Sequence, residues 1–171
     1  MYVSKIRMTA ISLALLLAGC AMPMMNGAPA VKATPAQVAK YKDLPALGVV
    51  ETLEKNVSAA RADNMPFLAP RHFRDASQIL SKCQSYLGNK AQDELVNCAA
   101  QGDAVLEKGR AITDIVKYRF AQELAQKAQL DAINTEKLLP KEYAKATGDL
   151  SALIDVIERE QPNNIDKDKE A

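Results

Sequence analysis

Residues 95–116, LVNCAAQGDAVLEKGRAITDIV, have the clearest helical pattern in the sequence. Apolar or small residues recur along it at alternating intervals of three and four, the heptad spacing of one face of an α-helix. Those residues are Leu95, Cys98, Gly102, Val105, Gly109, Ile112 and Val116. We expect one long helix from Lys90 to Ile133, with this stripe facing neighbouring helices.

Two glycines of this stripe, Gly102 and Gly109, are unusual inside a helix. Each costs about 1 kcal/mol relative to alanine in a helix interior. Their position on the apolar stripe indicates that a neighbouring helix approaches closely. An ordinary kink or a frayed turn is the alternative, and the sequence leaves it open.

The segments on either side show the same helical period and lack alternating β-branched runs and hairpin dipeptides. A first helix is expected over residues 44–64, and a second from Pro70 to the left-handed C-cap signal Gly88-Asn89. A helical hairpin or bent helix follows Asn134. The prediction for residues 44–161 is therefore an all-α fold, in which antiparallel helical hairpins form a four-helix bundle with one long helix.

One pattern occurs twice in the chain, starting at Leu68 and again at Leu138. It reads Leu-x-Pro-basic-x-aromatic-x-x-Ala-x-x-x-Leu. The proline suits the first turn of a helix, and the aromatic, Ala and Leu positions form a stripe at helical spacing. The repetition indicates two equivalent helical hairpins, unless two helix starts look alike because they obey the same local rules.

The N-terminal segment has the composition of a secretory leader, since Lys5 and Arg7 precede an apolar run. Leu17-Ala18-Gly19-Cys20 ends that run and resembles the lipobox of bacterial lipoproteins, whose cysteine receives acyl chains and becomes the first residue after cleavage. The run is far shorter than the roughly 20 residues that a transmembrane helix needs. A plain secretory signal is the other alternative. We expect residues 1–19 to be a lipoprotein signal peptide and Cys20 to be the lipidation site.

The lipobox resemblance also implies a location. Ala21 stands where the inner-membrane retention signal of that family has Asp, so the resemblance implies an outer-membrane lipid anchor facing the periplasm. Residues 20–43 are rich in Ala, Pro and small residues without a sustained period, which is typical of a flexible tether. Residues 162–171 are highly charged and are predicted to be a disordered tail.

Two cysteines of the predicted domain, Cys83 and Cys98, flank the Gly88 turn. Antiparallel helices would bring them level, and the oxidising periplasm favours a disulfide between them. Closing a loop of about 15 residues would stabilise the fold by roughly 3 kcal/mol. Two buried reduced thiols are the alternative. There is no C-x-x-C redox motif and no further set of zinc ligands, so no metal site is predicted.

The composition argues against nucleic-acid binding and gives little support to catalysis. Without Lys5 and Arg7, 20 basic residues face 21 acidic residues, and aromatic residues make up only 5%. His72 is the only histidine, and its place beside Arg71 at a helix start is typical of a solvated surface side chain. No phosphate-binding glycine loop or G-x-S-x-G motif occurs. We predict no enzyme activity, no catalytic residues and no cofactor.

The segment MPFLAPRHFRDA, residues 65–76, followed by a helical hairpin, looks like a helical module of unknown function in Gram-negative lipoproteins. That module often precedes an OmpA-like peptidoglycan-binding domain, and the resemblance covers residues 44–160. The chain has no segment like the OmpA-type Asn-x-x-Leu-Ser-x-x-Arg-Ala helix. The resemblance therefore implies a helical envelope lipoprotein and does not imply peptidoglycan binding.

Two classes of function remain open. One is a non-enzymatic adaptor or scaffold that contacts an envelope protein, or a peptidoglycan-associated partner, through a helical face. The other is a periplasmic carrier or chaperone for an apolar ligand or an outer-membrane client, which needs a cavity of several hundred Å³. The small residues Ala76, Gly102 and Gly109 on the apolar stripes indicate close packing, which favours the adaptor.

Overall fold

The computed structural model describes residues 31–160, which form eight helices and no strand. The helices are α1 Pro35–Lys42, α2 Ala46–Ala62, α3 Met65–Leu68, α4 Pro70–Tyr86, α5 Gln92–Arg119, α6 Ala121–Ala132, α7 Thr135–Leu138 and α8 Pro140–Glu160. The predicted all-α fold is confirmed. The predicted signal peptide, its Cys20 and the predicted tail lie outside the described residues. None of the helices within 31–160 has the length and apolar character needed to cross a membrane.

Helix α5 is the centre of the bundle, because α4, α2 and α1 all pack against it. All seven residues of its predicted stripe are buried, from Leu95 to Val116. The acidic residues of its first turn, Asp93 and Glu94, and the basic residues of its last turn, Lys117 and Arg119, suit the helix dipole. The sequence pattern of residues 95–116 therefore forms the core as predicted.

The two copies of the repeated pattern form two hairpins of the same design. Hairpin 1 comprises α2, α3 and α4, and hairpin 2 comprises α6, α7 and α8. Asn64 and Asn134 end the first helix of each in the left-handed conformation, with φ of 61° and 55°. After the short helix, Ala69 and Leu139 share a backbone conformation that is neither helical nor extended, with φ of −148° and −135° and ψ of 63° and 66°, directly before the proline that begins the last helix. The expectation of two equivalent hairpins is confirmed at the level of the backbone.

The predicted long helix does not continue to Ile133. It stops at Arg119, and α6 begins at Ala121. Phe120 lies between them with φ −113° and ψ 31°, which is not helical, and its half-buried side chain packs against the core. The predicted C-cap at Gly88 is confirmed, with a φ of 74°.

The predicted flexible tether over residues 20–43 is wrong for its last part, because Pro35–Lys42 is helical. The Thr34 hydroxyl accepts a hydrogen bond from the Gln37 backbone N–H at 3.3 Å, and the Gln37 side chain accepts one from the Thr34 N–H at 2.8 Å. This reciprocal pair is a capping box, which satisfies two amide donors at the helix start. The helix is held by the fully buried Tyr41, so α1 belongs to the helical domain.

Candidate functional site

The two predicted disulfide cysteines are brought together. Cys83 on α4 and Cys98 on α5 form a disulfide, with their Cα atoms 5.8 Å apart. Both residues are buried, so the bond lies inside the packed part of the molecule. It links hairpin 1 covalently to the central helix, which fits a structural role.

The two glycines of α5 lie where neighbouring helices come closest. A Cβ atom on Gly102 would stand 2.9 Å from a methyl carbon of Leu53. A Cβ on Gly109 would stand 2.9 Å from the Cβ of His72 and 3.0 Å from the sulfur of Met65. At contacts this short a side chain on either glycine would force its neighbours to shift, so the predicted close approach is confirmed. Helix α5 runs through both glycines from Gln92 to Arg119, so the alternative of a kink or frayed turn is wrong.

His72 is buried, with only 1% of its surface exposed, so the prediction of a solvated histidine is wrong. Its Nδ1 atom lies 2.7 Å from Oε1 of Glu158 on α8. The Glu158 carboxylate also accepts the backbone N–H groups of His72 at 2.9 Å and of Arg71 at 3.1 Å. An anion at this position suits the positive end of the α4 dipole. The pair clamps the end of α8 onto the start of α4.

A second polar cluster joins α1 and α2 to α5, and the sequence analysis missed it. The Asp103 carboxylate, which is buried, accepts hydrogen bonds from Lys40 Nζ at 2.5 Å and from Asn56 Nδ2 at 2.7 Å. Asn56 also donates to the Tyr41 hydroxyl at 3.2 Å. Burial, together with the nearby Asp103 carboxylate, raises the pKa of Tyr41 far above its ordinary value. One feature of the sequence could have indicated this cluster: Asp103 directly follows Gly102, so it lies beside the apolar stripe of α5.

Hairpin 2 leaves large apolar side chains in contact with solvent. Their exposed fractions range from 47% to 70%, and they are Ile133, Leu138, Leu139, Leu153 and Val156. Helix α6 has no buried residue at all. Of the seven large apolar side chains that are exposed among residues 31–160, five belong to this hairpin. Exposed apolar surface beyond single residues is typical of interaction sites. We therefore take hairpin 2 as the candidate functional surface.

A groove of about 200 Å³ runs between α6 and α8 on this hairpin. It is lined by Glu123, Gln126, Lys127, Leu130, Ala146, Thr147, Asp149, Leu150 and Leu153. The leucines and the alanine make most of its surface apolar, and the charged residues lie among them. Within residues 31–160, no cluster of three or more His, Cys, Asp or Glu side chains could hold a metal ion.

One polar cluster holds the two helices of hairpin 2 together. Asp131 on α6 accepts a hydrogen bond from Lys127 Nζ at 2.8 Å and one from the Tyr143 hydroxyl of α8 at 2.6 Å. The hydrogen bond from Lys127, and then that from Tyr143, lowers the pKa of the Asp131 carboxyl. Lys127 Nζ also lies 5.3 Å from the ring centre of Phe67, which connects hairpin 2 to α3.

No protein-family model, curated protein or solved structure matches this chain.

Proposed function

We propose that this protein is a non-enzymatic adaptor of the cell envelope, anchored to the outer membrane through lipid on Cys20 and facing the periplasm. The lipobox at Leu17-Ala18-Gly19-Cys20 and the following Ala21 support the anchor. The observation that carries the adaptor function is the concentration of exposed apolar side chains on hairpin 2, which has five of the seven found among residues 31–160. Its partner would be another envelope protein or a peptidoglycan-associated protein.

The rest of the molecule suits a rigid support for this surface. Hairpin 1 is tied to α5 by the disulfide and by the close contacts at Gly102 and Gly109. The buried pair of His72 and Glu158 then holds the end of α8 against that support. A binding surface held by a packed scaffold loses less conformational entropy when a partner docks.

The carrier or chaperone alternative is less well supported. Sites for small apolar molecules usually enclose about 300 to 1,000 Å³. The groove of hairpin 2 has about 200 Å³ and lies open between two helices. An open groove of this size fits a row of side chains from a partner protein better than it fits an enclosed small molecule.

The adaptor function can be tested by removing the exposed apolar side chains while leaving the core intact. Leu138→Ser with Leu139→Ser changes two residues that are 70% and 53% exposed, so we expect the fold to remain. Native electrophoresis of mild detergent extracts should show the wild type in a complex and the variant at the size of the monomer. Leu47→Ser, at a 59% exposed site on α2, is the control and should keep the complex. A wild type that migrates as a monomer contradicts the adaptor function.

The anchor is tested separately. Cys20→Ser should abolish labelling with radioactive palmitate and remove the protein from its normal membrane fraction. If the variant still fractionates with the outer membrane as the wild type does, the lipid anchor is not what holds the protein there.

A further inference from the structure

The groove of hairpin 2 is built from the same positions as one face of hairpin 1. Each residue lining the groove has a counterpart 70 positions earlier in the chain. Those counterparts are Leu53, Asn56, Val57, Ala60, Ala76, Ser77, Ile79, Leu80 and Cys83. What covers this face in hairpin 1 therefore indicates what the groove can accept.

In hairpin 1 this face holds helix α5. Cys83 is joined to α5 by the disulfide, and Asn56 donates a hydrogen bond of 2.7 Å to Asp103. The methyl groups of Leu53 lie 2.9 and 3.0 Å from the place where a Cβ on Gly102 would stand. The face is thus the binding surface of a tightly packed helix.

In hairpin 2 no described helix covers the equivalent face. The groove keeps an apolar floor made by Leu130, Ala146, Leu150 and Leu153. Leu153 is half-exposed, whereas its counterpart Cys83 is buried and bonded to α5. The surface that receives a helix in hairpin 1 is present in hairpin 2 with its helix-binding side open to solvent.

The two faces differ in charge at the closest contacts. In hairpin 1, Leu53 and Ile79 lie 2.9 and 3.3 Å from the Cβ position of Gly102. The Cβ atom of His72 lies 2.9 Å from the place where a Cβ on Gly109 would stand. These three side chains meet the small residues of α5 without offering a negative charge.

In hairpin 2 the three corresponding positions are acidic: Glu123, Asp149 and Glu142. All three are exposed, and none forms an ion pair with another described residue. The one cation lining the groove, Lys127, is paired with Asp131 at 2.8 Å. A helix that covered these carboxylates without offering a cation would leave them desolvated and unpaired, which is costly.

We propose that the groove between α6 and α8 binds an amphipathic helix of another protein, with a row of apolar residues on the groove floor and Lys or Arg opposite Glu123, Glu142 and Asp149. This is recognition of a helix in a groove, in which residues at helical spacing anchor the partner. The inference deepens the proposed adaptor function and rests on it for the biological partner.

A second copy of this chain does not fit the groove. Two copies joined groove to groove would offer Glu123 and Asp149 no free cation, because Lys127, the one cation lining the groove, is paired with Asp131. Carboxylates buried at an interface without a cation are costly. The α5 helix of a second copy cannot occupy the groove either, because the disulfide between Cys83 and Cys98 holds it against its own hairpin 1.

The chain itself supplies the probe. A labelled peptide of residues 92–119, carrying Cys98→Ala, Gly102→Arg and Gly109→Arg, would place arginines opposite the three carboxylates. A comparison peptide carries glutamate at both glycine positions. Fluorescence anisotropy with the full-length protein at low salt should show that the arginine peptide binds at least about tenfold more tightly. The preference should shrink as salt is added.

Substitutions in the protein test whether the peptide binds in the groove. Glu123→Lys with Asp149→Lys should reverse the preference between the two peptides. Glu51→Lys with Glu54→Lys is the control, because it makes the same charge change at exposed sites of α2 and should leave the preference unchanged. Leu153→Gln should abolish binding of the arginine peptide, whereas Leu47→Gln should not.

Three results would overturn the inference. They are no binding of the arginine peptide, equal binding to the Glu123→Lys and Asp149→Lys variant, and a dimer of the protein alone that Leu153→Gln disrupts. If the arginine peptide fails while the complex in detergent extracts still depends on Leu138 and Leu139, the adaptor function stands and the helix-binding groove is wrong. If the peptide binds as expected while extracts contain only monomer, the groove stands and the adaptor function fails.

Discussion

The two hairpins have the same backbone design and opposite surroundings. Leu68 and Ala69 of hairpin 1 are 2% and 0% exposed, whereas their counterparts Leu138 and Leu139 are 70% and 53% exposed. The left-handed asparagine and the proline at the helix start are present in both hairpins. Local sequence therefore determines the backbone conformation of each hairpin. The packing of α5 against hairpin 1 determines that this hairpin, and not hairpin 2, is buried.

The largest effect is expected at the clamp that joins the two hairpins. Glu158→Ala removes the acceptor of the buried His72 ring and backbone N–H and of the partly buried Arg71 backbone N–H. Each buried donor that is left without an acceptor costs about 1 to 3 kcal/mol, and this substitution removes the acceptor of several donors at once. Chemical denaturation of the full chain should show this loss, and Glu160→Ala, at an exposed site, should change little. Equal stability of both variants would show that the clamp does not hold α8 in place.

The second prediction compares a glycine in the covered part of the molecule with one in hairpin 2. Gly109→Leu must displace His72 or Met65, so we expect a loss of about 1 to 3 kcal/mol. Nothing lies within 4 Å of a Cβ on Gly148, so Gly148→Leu should stabilise by up to about 1 kcal/mol through helix propensity. Thermal unfolding gives the sign of each change. A raised midpoint for Gly109→Leu would contradict the close packing of α5.

The smallest effect concerns the Asp131 cluster of hairpin 2. Its carboxyl has a lowered pKa in the folded chain, so its ionised form stabilises the fold above the ordinary Asp pKa. That contribution is lost as the pH falls through the lowered pKa. Asp131 is exposed, so Asp131→Asn should cost under about 1 kcal/mol at neutral pH. The difference between wild type and variant should vanish in acid, once the Asp131 carboxyl is protonated in both the folded and the unfolded chain.

Features that depend on local pattern could be predicted from the sequence. The stripe of α5, the start of α4 at Pro70 and the Gly88 turn follow from spacing and backbone preference. The pairing of Cys83 with Cys98 also followed, because the two residues flank one turn. The start of α1 was available as well, since Thr34-Pro35-Ala36-Gln37 is a capping-box sequence that the Ala- and Pro-rich composition obscured.

The remaining features depend on residues far apart in the chain. His72 is buried because Glu158 reaches it from α8, and nothing near His72 in the sequence indicates that partner. The break at Phe120 has no glycine or proline to signal it. The repeat was visible in the sequence, but the open groove of hairpin 2 could be recognised only from the positions of α5, α6 and α8 in the structure.

Hydrogen exchange of the full-length protein tests the central comparison most directly. Amides of α6 and of α8 as far as Leu150 should exchange faster than their counterparts in α2 and α4, because hairpin 1 packs against α5 much more extensively than hairpin 2 does. Adding the arginine peptide should then slow exchange in α6 and α8 and leave hairpin 1 unchanged. Equal protection of the two hairpins in the free protein, or peptide-induced protection confined to hairpin 1, would contradict the account.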